Sequence, residues 1–202
     1  MLFHAAYSRM LFIKEEDSAM IIDNLQRLKW GFFFIMIGLR IEGFDVFPDI
    51  LGHIFFAISL SNLRQSSNYF GKAFIFNLPL IFISIFTIYQ DPAQQDVSNL
   101  NLLGVLILIA SFILNLMTVY NLFMGMKELE EGYGNTELAS ESERMWKNYL
   151  LLEIAMILSF LIIFVPVFGF LYIIGVLIAA IAVLIGIIKF LRRCIDSINP
   201  AA

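Results

Sequence analysis

Apolar and polar positions alternate along this chain on the scale of whole helices. Ala73 to Gln90 and Val97 to Met126 contain no charged side chain, and between Ile154 and Lys189 the apolar run is interrupted only around Pro166. Runs of this kind meet the roughly 20-residue length that a helix needs to cross a bilayer with every backbone group bonded internally. The pattern predicts helices over 21–42, 48–64, 70–90, 98–127, 146–165 and 167–191. Gly43 suits the left-handed residue that stops the first, and Pro48 suits the first turn of the second. Asp91, Pro92 and the polar residues up to Asn99 separate the third from the fourth. Pro166 and Gly169 separate the fifth from the sixth. The fold class expected is an all-α integral membrane protein, a six-helix transmembrane bundle with both termini cytoplasmic.

Charge strengthens this expectation. With a cytoplasmic N-terminus, six crossings put all 13 Lys and Arg residues except Arg40 on the inner side, the bias that orients membrane proteins. One alternative leaves that bias intact. Helices one and two have short uncharged stretches, Trp30 to Leu39 and Ile50 to Leu63, and a re-entrant hairpin would also return Arg64 to the inner side.

Composition agrees, since 60% of the 202 residues are hydrophobic and the mean hydropathy is +0.84, more apolar surface than one soluble core can hide. The lipid bilayer is the first expected partner. A membrane-protein partner or a second copy is the next. No basic patch supports nucleic-acid binding, and the single cysteine, Cys194, offers neither a disulfide nor a cysteine metal cage. No cofactor or metal is expected.

Residues 1–20 read as an N-terminal extension, 21–191 as the membrane domain and 192–202 as a cytoplasmic tail. Lys14-Glu15-Glu16-Asp17 shortly before Met20 is what a purine-rich ribosome-binding site yields when translated, which predicts Met20 as the native start. Mass spectrometry of the native N-terminus tests this; an intact Met1 peptide refutes it. Between Lys127 and Lys147 six glutamates suggest a solvated acidic loop, with Gly132-Tyr133-Gly134-Asn135 as the joint and Ser140 with Glu143 as a capping box for helix five.

Few polar residues interrupt the apolar runs. Asn101, Gly104, Ser111, Asn115 and Thr118 form one stripe of helix four, read first as a packing seam and second as a solute path. Gly175, Ala179, Ala182 and Gly186 suggest a similar seam on helix six. Asn77 and Ser84 share a face of helix three beside the helix-bending Pro79. Glu153 is the acid deepest within a span, expected to anchor to Asn121 or Lys189, or else to relay protons or cations. Arg40, Glu42, Asp45, Asp49 and His53 crowd the first hairpin. They read as a clamp in which Arg40 pairs with Asp45 or Asp49, with an ion cluster as the alternative.

At these residues the sequence resembles a known hairpin. Lys29-Trp30-Gly31-Phe32 leading to Arg40-Ile41-Glu42-Gly43-Phe44-Asp45-Val46-Phe47-Pro48-Asp49-Ile50-Leu51-Gly52 is similar to a segment of uncharacterised bacterial multi-pass membrane proteins, over about residues 25–64. The resemblance implies a bacterial cell membrane and no particular activity, and His53 stands where those proteins are expected to carry an aromatic residue such as tyrosine. Three functions are in contention: a non-enzymatic membrane partner or sensor subunit, preferred; a small transporter or channel; and, last, a metal-dependent intramembrane enzyme using Asp45, Asp49 and His53. A polar cavity joining the hairpin acids to Glu153 would favour the second.

Overall fold

A computed structural model of the chain describes residues 2–37, 40–41, 44–45, 49–87, 102–162 and 166–198. Among them are six helices: α1 Leu2–Ile37, α2 Asp49–Leu63, α3 Asn68–Thr87, α4 Leu102–Gly132, α5 Thr136–Ile162 and α6 Pro166–Ile198. Two short strands, β1 Arg40–Ile41 and β2 Phe44–Asp45, pair antiparallel between α1 and α2, with Arg40 opposite Asp45. Each helix packs on the next in sequence and α6 returns to α1, so the six form a closed up-and-down ring. One end of the ring holds the α2–α3 and α4–α5 turns. This turn end lies opposite the hairpin end, which holds β1 and β2.

The described residues correct several expectations. Three helices, not six, contain a stretch long and apolar enough to cross a membrane alone: Asn68–Ile85, Gly104–Gly132 and Phe168–Ile198. The other three fall short for local reasons. With 15 residues, α2 spans only about 22 Å at ~1.5 Å per residue. The first turns of α5 are charged, from Glu137 to Lys147, and in α1 charged residues recur from Lys14 to Lys29, leaving only the last turns apolar. Residues 2–20, expected to lie outside the bundle, continue α1 as helix. Residues 192–198, expected as tail, belong to α6, and Cys194 is fully buried.

The joint expected at Gly132 to Asn135 is present, and Gly134 takes a left-handed φ of 79° that glycine tolerates. The capping box is not, because α5 starts at Thr136: Ser140 donates to the Glu137 carbonyl inside the helix, while Glu143 pairs with Lys127. Nor is the acidic segment simply solvated. Glu130 and Glu141 are buried; Glu130 accepts from Ser197 of α6, and Glu141 is paired with Arg193 of α6 and Arg144 of α5. Pro166 opens α6, but Gly169 lies within it. Gly43, Pro48 and the joint 88–101 lie outside the described residues.

Packing is densest at the turn end. Four buried phenylalanine rings from four helices meet on the axis: Phe32 lies 4.9 Å from Phe56 and 5.8 Å from Phe123, which lies 6.1 Å from Phe190. Helices α1 and α2 approach closely because Gly31 faces Gly52, where an added Cβ would come within 2.8 Å of the Gly31 carbonyl oxygen. The outer surface of the ring is the apolar one, with Phe82, Leu108, Leu151, Phe170, Leu177 and Ile178 all exposed. That inverted distribution suits lipid contact.

Candidate functional site

At the hairpin end the ring borders a half-open cavity of about 700 Å³, lined by small and polar side chains among larger apolar ones. All six helices line it: Ile35 and Met36 of α1, Asp49 and His53 of α2, Leu80, Ile83 and Ser84 of α3, Gly104 to Asn115 positions of α4, Tyr149 to Met156 positions of α5, and Ala180 of α6. One to two helical turns toward the other end, Phe32, Phe56 and Phe123 occupy the axis.

Two hydrogen-bonded groups build the wall. On one side Asn77 of α3 donates its amide nitrogen to the His53 carbonyl at 2.7 Å, which turns its Oδ1 toward the imidazole Nδ1, 2.9 Å away. An amide oxygen only accepts, so His53 carries a proton on Nδ1 and in its neutral form leaves Nε2 as an acceptor. This bond pins α2 to α3. His53 and Asn77 are both buried.

On the other side the Asn115 amide nitrogen of α4 donates to the Tyr149 hydroxyl at 2.7 Å and, at 3.4 Å, approaches Glu153 Oε1. Tyr149 in turn hydrogen-bonds Glu153, one helical turn along α5. The Asn115 Oδ1 is itself buried and has no hydrogen-bond partner. Glu153 is 6% exposed, and the cavity lining contains neither Lys nor Arg. The wall therefore carries a buried carboxyl group that is bonded to Tyr149 and Asn115.

The expected site residues are thus partly assembled. Asp49, His53, Asn115 and Glu153 share one cavity, and Asn77 supports it from behind. Asn121 does not anchor Glu153, since its amide bonds the Met117 carbonyl of its own helix, and Lys189 is exposed. The stripe on α4 is not the expected seam at its hairpin end: Gly104 has open space where a Cβ would stand, and Ser111 donates to its own helix at Ile107. Its Thr118 is buried. On α6 the expected seam is exposed at Gly175, Ala179 and Ala182, while a Cβ at Gly186 would lie 3.8 Å from Met145 of α5. Arg40 and Asp45 are opposed across the strand pair as a clamp requires of the backbone; Glu42 and Asn101 lie outside the described residues. Among the described residues no three His, Cys, Asp or Glu side chains gather as a metal site.

Sequence reasoning missed Tyr149, the residue that links Asn115 to Glu153. A signal was present, since Tyr149 precedes Glu153 by one helical turn and shares its face. Comparison of the chain with family models, with curated proteins and with solved structures returns no match.

Proposed function

We propose that this is a non-enzymatic integral membrane protein of the bacterial cell membrane that crosses six times, keeps both termini in the cytoplasm and holds a small solute in its hairpin-end cavity. The cavity carries the reading: Asp49, His53, Asn115, Tyr149 and Glu153 come from three helices to line one space. A carboxylate placed near the bilayer interior costs about 2.5–3.5 kcal/mol on insertion scales, and polar groups present only to pack helices would be expected to close over it.

Charge supports the orientation. The basic residues of the described helices fall toward the turn end, including Arg64, Lys127 and Arg193, which makes that end cytoplasmic by the usual bias. Ring closure supports the six crossings, because α1, α2 and α5 lie alongside the three apolar helices in alternating direction. The resemblance of the hairpin residues supports the bacterial membrane. The rings of Phe32, Phe56 and Phe123 obstruct the axis below the cavity, which favours a receptor or sensor, with occupancy read by a membrane partner or a second copy, over an open channel. A carrier is the second reading, favoured by the reach of the cavity to Glu153, and it requires those rings to part.

Cysteine accessibility tests the proposal in a Cys194→Ser background. Asp96→Cys and Gly104→Cys should react with an impermeant thiol reagent on intact cells, while Lys127→Cys and Arg193→Cys should react only after lysis. Reaction of Asp96→Cys only after lysis would sink the topology. Reaction of Asp96→Cys but not Gly104→Cys would sink an externally reached cavity. Solute uptake into proteoliposomes would replace the sensor reading with the carrier.

A further inference from the structure

We propose that the ligand of the hairpin-end cavity is a neutral molecule carrying a hydroxyl on an apolar body, the hydroxyl donating to His53 Nε2. The inference deepens the solute-binding reading and rests on it.

The tautomer of His53 is fixed by its neighbour. A backbone carbonyl can only accept, so the Asn77 nitrogen is the atom that meets the His53 carbonyl, and Asn77 Oδ1 is the atom that meets Nδ1. Neutral His53 therefore carries its proton on Nδ1 and a lone pair on Nε2. Nε2 has no hydrogen-bond partner among the described residues. Nor is it sealed, since the buried side-chain atoms without a partner are Ser59 Oγ, Asn115 Oδ1 and Glu130 Oε1. A water-sized probe thus reaches Nε2, and because His53 is only 6% exposed and lines the cavity, the cavity is where it is reached.

Other polar groups of the lining are engaged within the protein. The Asn115 nitrogen donates to the Tyr149 hydroxyl, which bonds Glu153, and the Ser111 hydroxyl donates to the Ile107 carbonyl. Asp49 and Ser84 each have an interaction of their own. His53 Nε2 remains as an accessible acceptor that no protein group serves.

Charge and shape narrow what serves it. The lining holds the Glu153 carboxyl and neither Lys nor Arg, so an anion finds no counter-charge there. Much of the remaining wall is hydrocarbon, including Ile35, Leu80, Ile83, Phe112 and Leu152, around a space of about 700 Å³ that falls in the range of small-molecule sites. Water alone would satisfy Nε2 and gain nothing from these walls. A hydroxyl on an apolar body donates to Nε2 and covers the hydrocarbon as well.

His4 and His53 are the two histidines of the chain, so a His4→Gln background leaves His53 as the sole source of imidazole nitrogen signals. The full chain, labelled at both ring nitrogens and held in lipid nanodiscs at mildly alkaline pH, is titrated with 2-phenylethanol, its methyl ether and 3-phenylpropionate. Protein-free nanodiscs correct for uptake by lipid. Before any probe is added, nitrogen NMR should show the proton on Nδ1 and none on Nε2. 2-Phenylethanol should bind and move the Nε2 resonance while Nδ1 stays in place. By calorimetry the ether, which has no donor, should bind about tenfold more weakly, and the carboxylate should not bind. His53→Phe should weaken 2-phenylethanol by about tenfold, and Lys189→Gln, outside the cavity, should leave binding intact. The Nε2 shift is read with the site unaltered, so unfolding of His53→Phe cannot imitate it. Equal binding of alcohol and ether, an Nε2 resonance that stays in place in the alcohol-bound protein, a proton on Nε2 of the neutral ring, or tightest binding of the carboxylate overturns the proposal. An externally accessible Gly104→Cys with no 2-phenylethanol binding rejects the hydroxyl ligand and leaves the solute cavity standing; an inaccessible one rejects the cavity.

Discussion

The turn end and the hairpin end of this ring are built from the same six helices with similar hydrophobicity, yet one is solid and the other hollow. At the turn end the axis is filled by Phe32, Phe56, Phe123 and Phe190, all nearly inaccessible. At the hairpin end the lining includes Gly104, Ser111, Ser84 and Ala180, whose small volumes leave space between the larger side chains. In lipid, where apolar surface gains little by turning inward, side-chain volume and hydrogen bonding decide which stretch of a helix packs. The cross-links follow the same division. Lys127 with Glu143, Glu141 with Arg193 and Ser67 with Glu128 tie four of the helices or their turns together at the turn end. At the hairpin end the polar groups bond one another within the wall, Asn77 with His53 and Asn115 with Tyr149 and Glu153.

The sharpest way to break the contrast is to hollow the solid end. Phe123→Ala should cost about 3–5 kcal/mol, as large aromatic truncations in packed cores do, whereas Phe112→Ala, already facing the cavity, should cost far less. Thermal unfolding in detergent measures both. Similar losses for the two would mean that the cavity wall is as tightly packed as the core.

A second contrast concerns added volume. Gly52→Val should destabilise by about 1–3 kcal/mol or more through overpacking, because even its Cβ would press on Ile35 and on the Gly31 carbonyl. Gly104→Val should be close to neutral, since nothing lies within 4 Å of its Cβ position. If both glycines tolerate valine equally, the close approach of α1 and α2 is wrong.

The polar wall separates from the apolar floor in a third experiment. Glu153→Gln keeps hydrogen bonding with Tyr149 and should be mild, while Glu153→Leu leaves the Tyr149 hydroxyl proton without its acceptor and should cost about 1–3 kcal/mol. Asn77→Leu should cost a similar ~1–3 kcal/mol by orphaning His53. Matching stability of the Gln and Leu variants would place the Glu153 side chain outside the wall.

Much of this was legible in the sequence, and the misses have physical causes. The six-helix order, the Gly132 to Asn135 joint and the inward face of Glu153 follow from apolar runs and turn chemistry. Its partner was misjudged because the end of α4 was placed at 127 and the start of α5 at 146. Antiparallel helices pair residues equidistant from their turn, and the turn centres on Gly134, which sets Glu153 beside Asn115 instead of Asn121. The same shift brings Lys127 to Glu143. Whether the α4 stripe packs or lines a space was not readable, since glycine and serine serve both purposes and the answer depends on the facing helices.

The smallest expected effect lies in one of the turn-end cross-links. Lys127 Nζ is 2.5 Å from Glu143 Oε1, joining α4 to the charged first turns of α5, ahead of its apolar run. Its hydrogen bond and positive charge hold the Glu143 carboxyl below the usual carboxylate range. A carboxyl depressed in the folded state contributes stability above its unfolded value and loses it as pH falls through the folded one. Both side chains are partly exposed, so solvent and salt screen the pair and its contribution is small. Melting temperature between neutral and acid pH should therefore fall slightly more in the parent than in Lys127→Gln, and high salt should remove the difference. Parallel curves for the two proteins at low salt would show that this pair adds nothing, leaving the buried Glu130 and Glu141 with their partners as the polar ties that close the solid end.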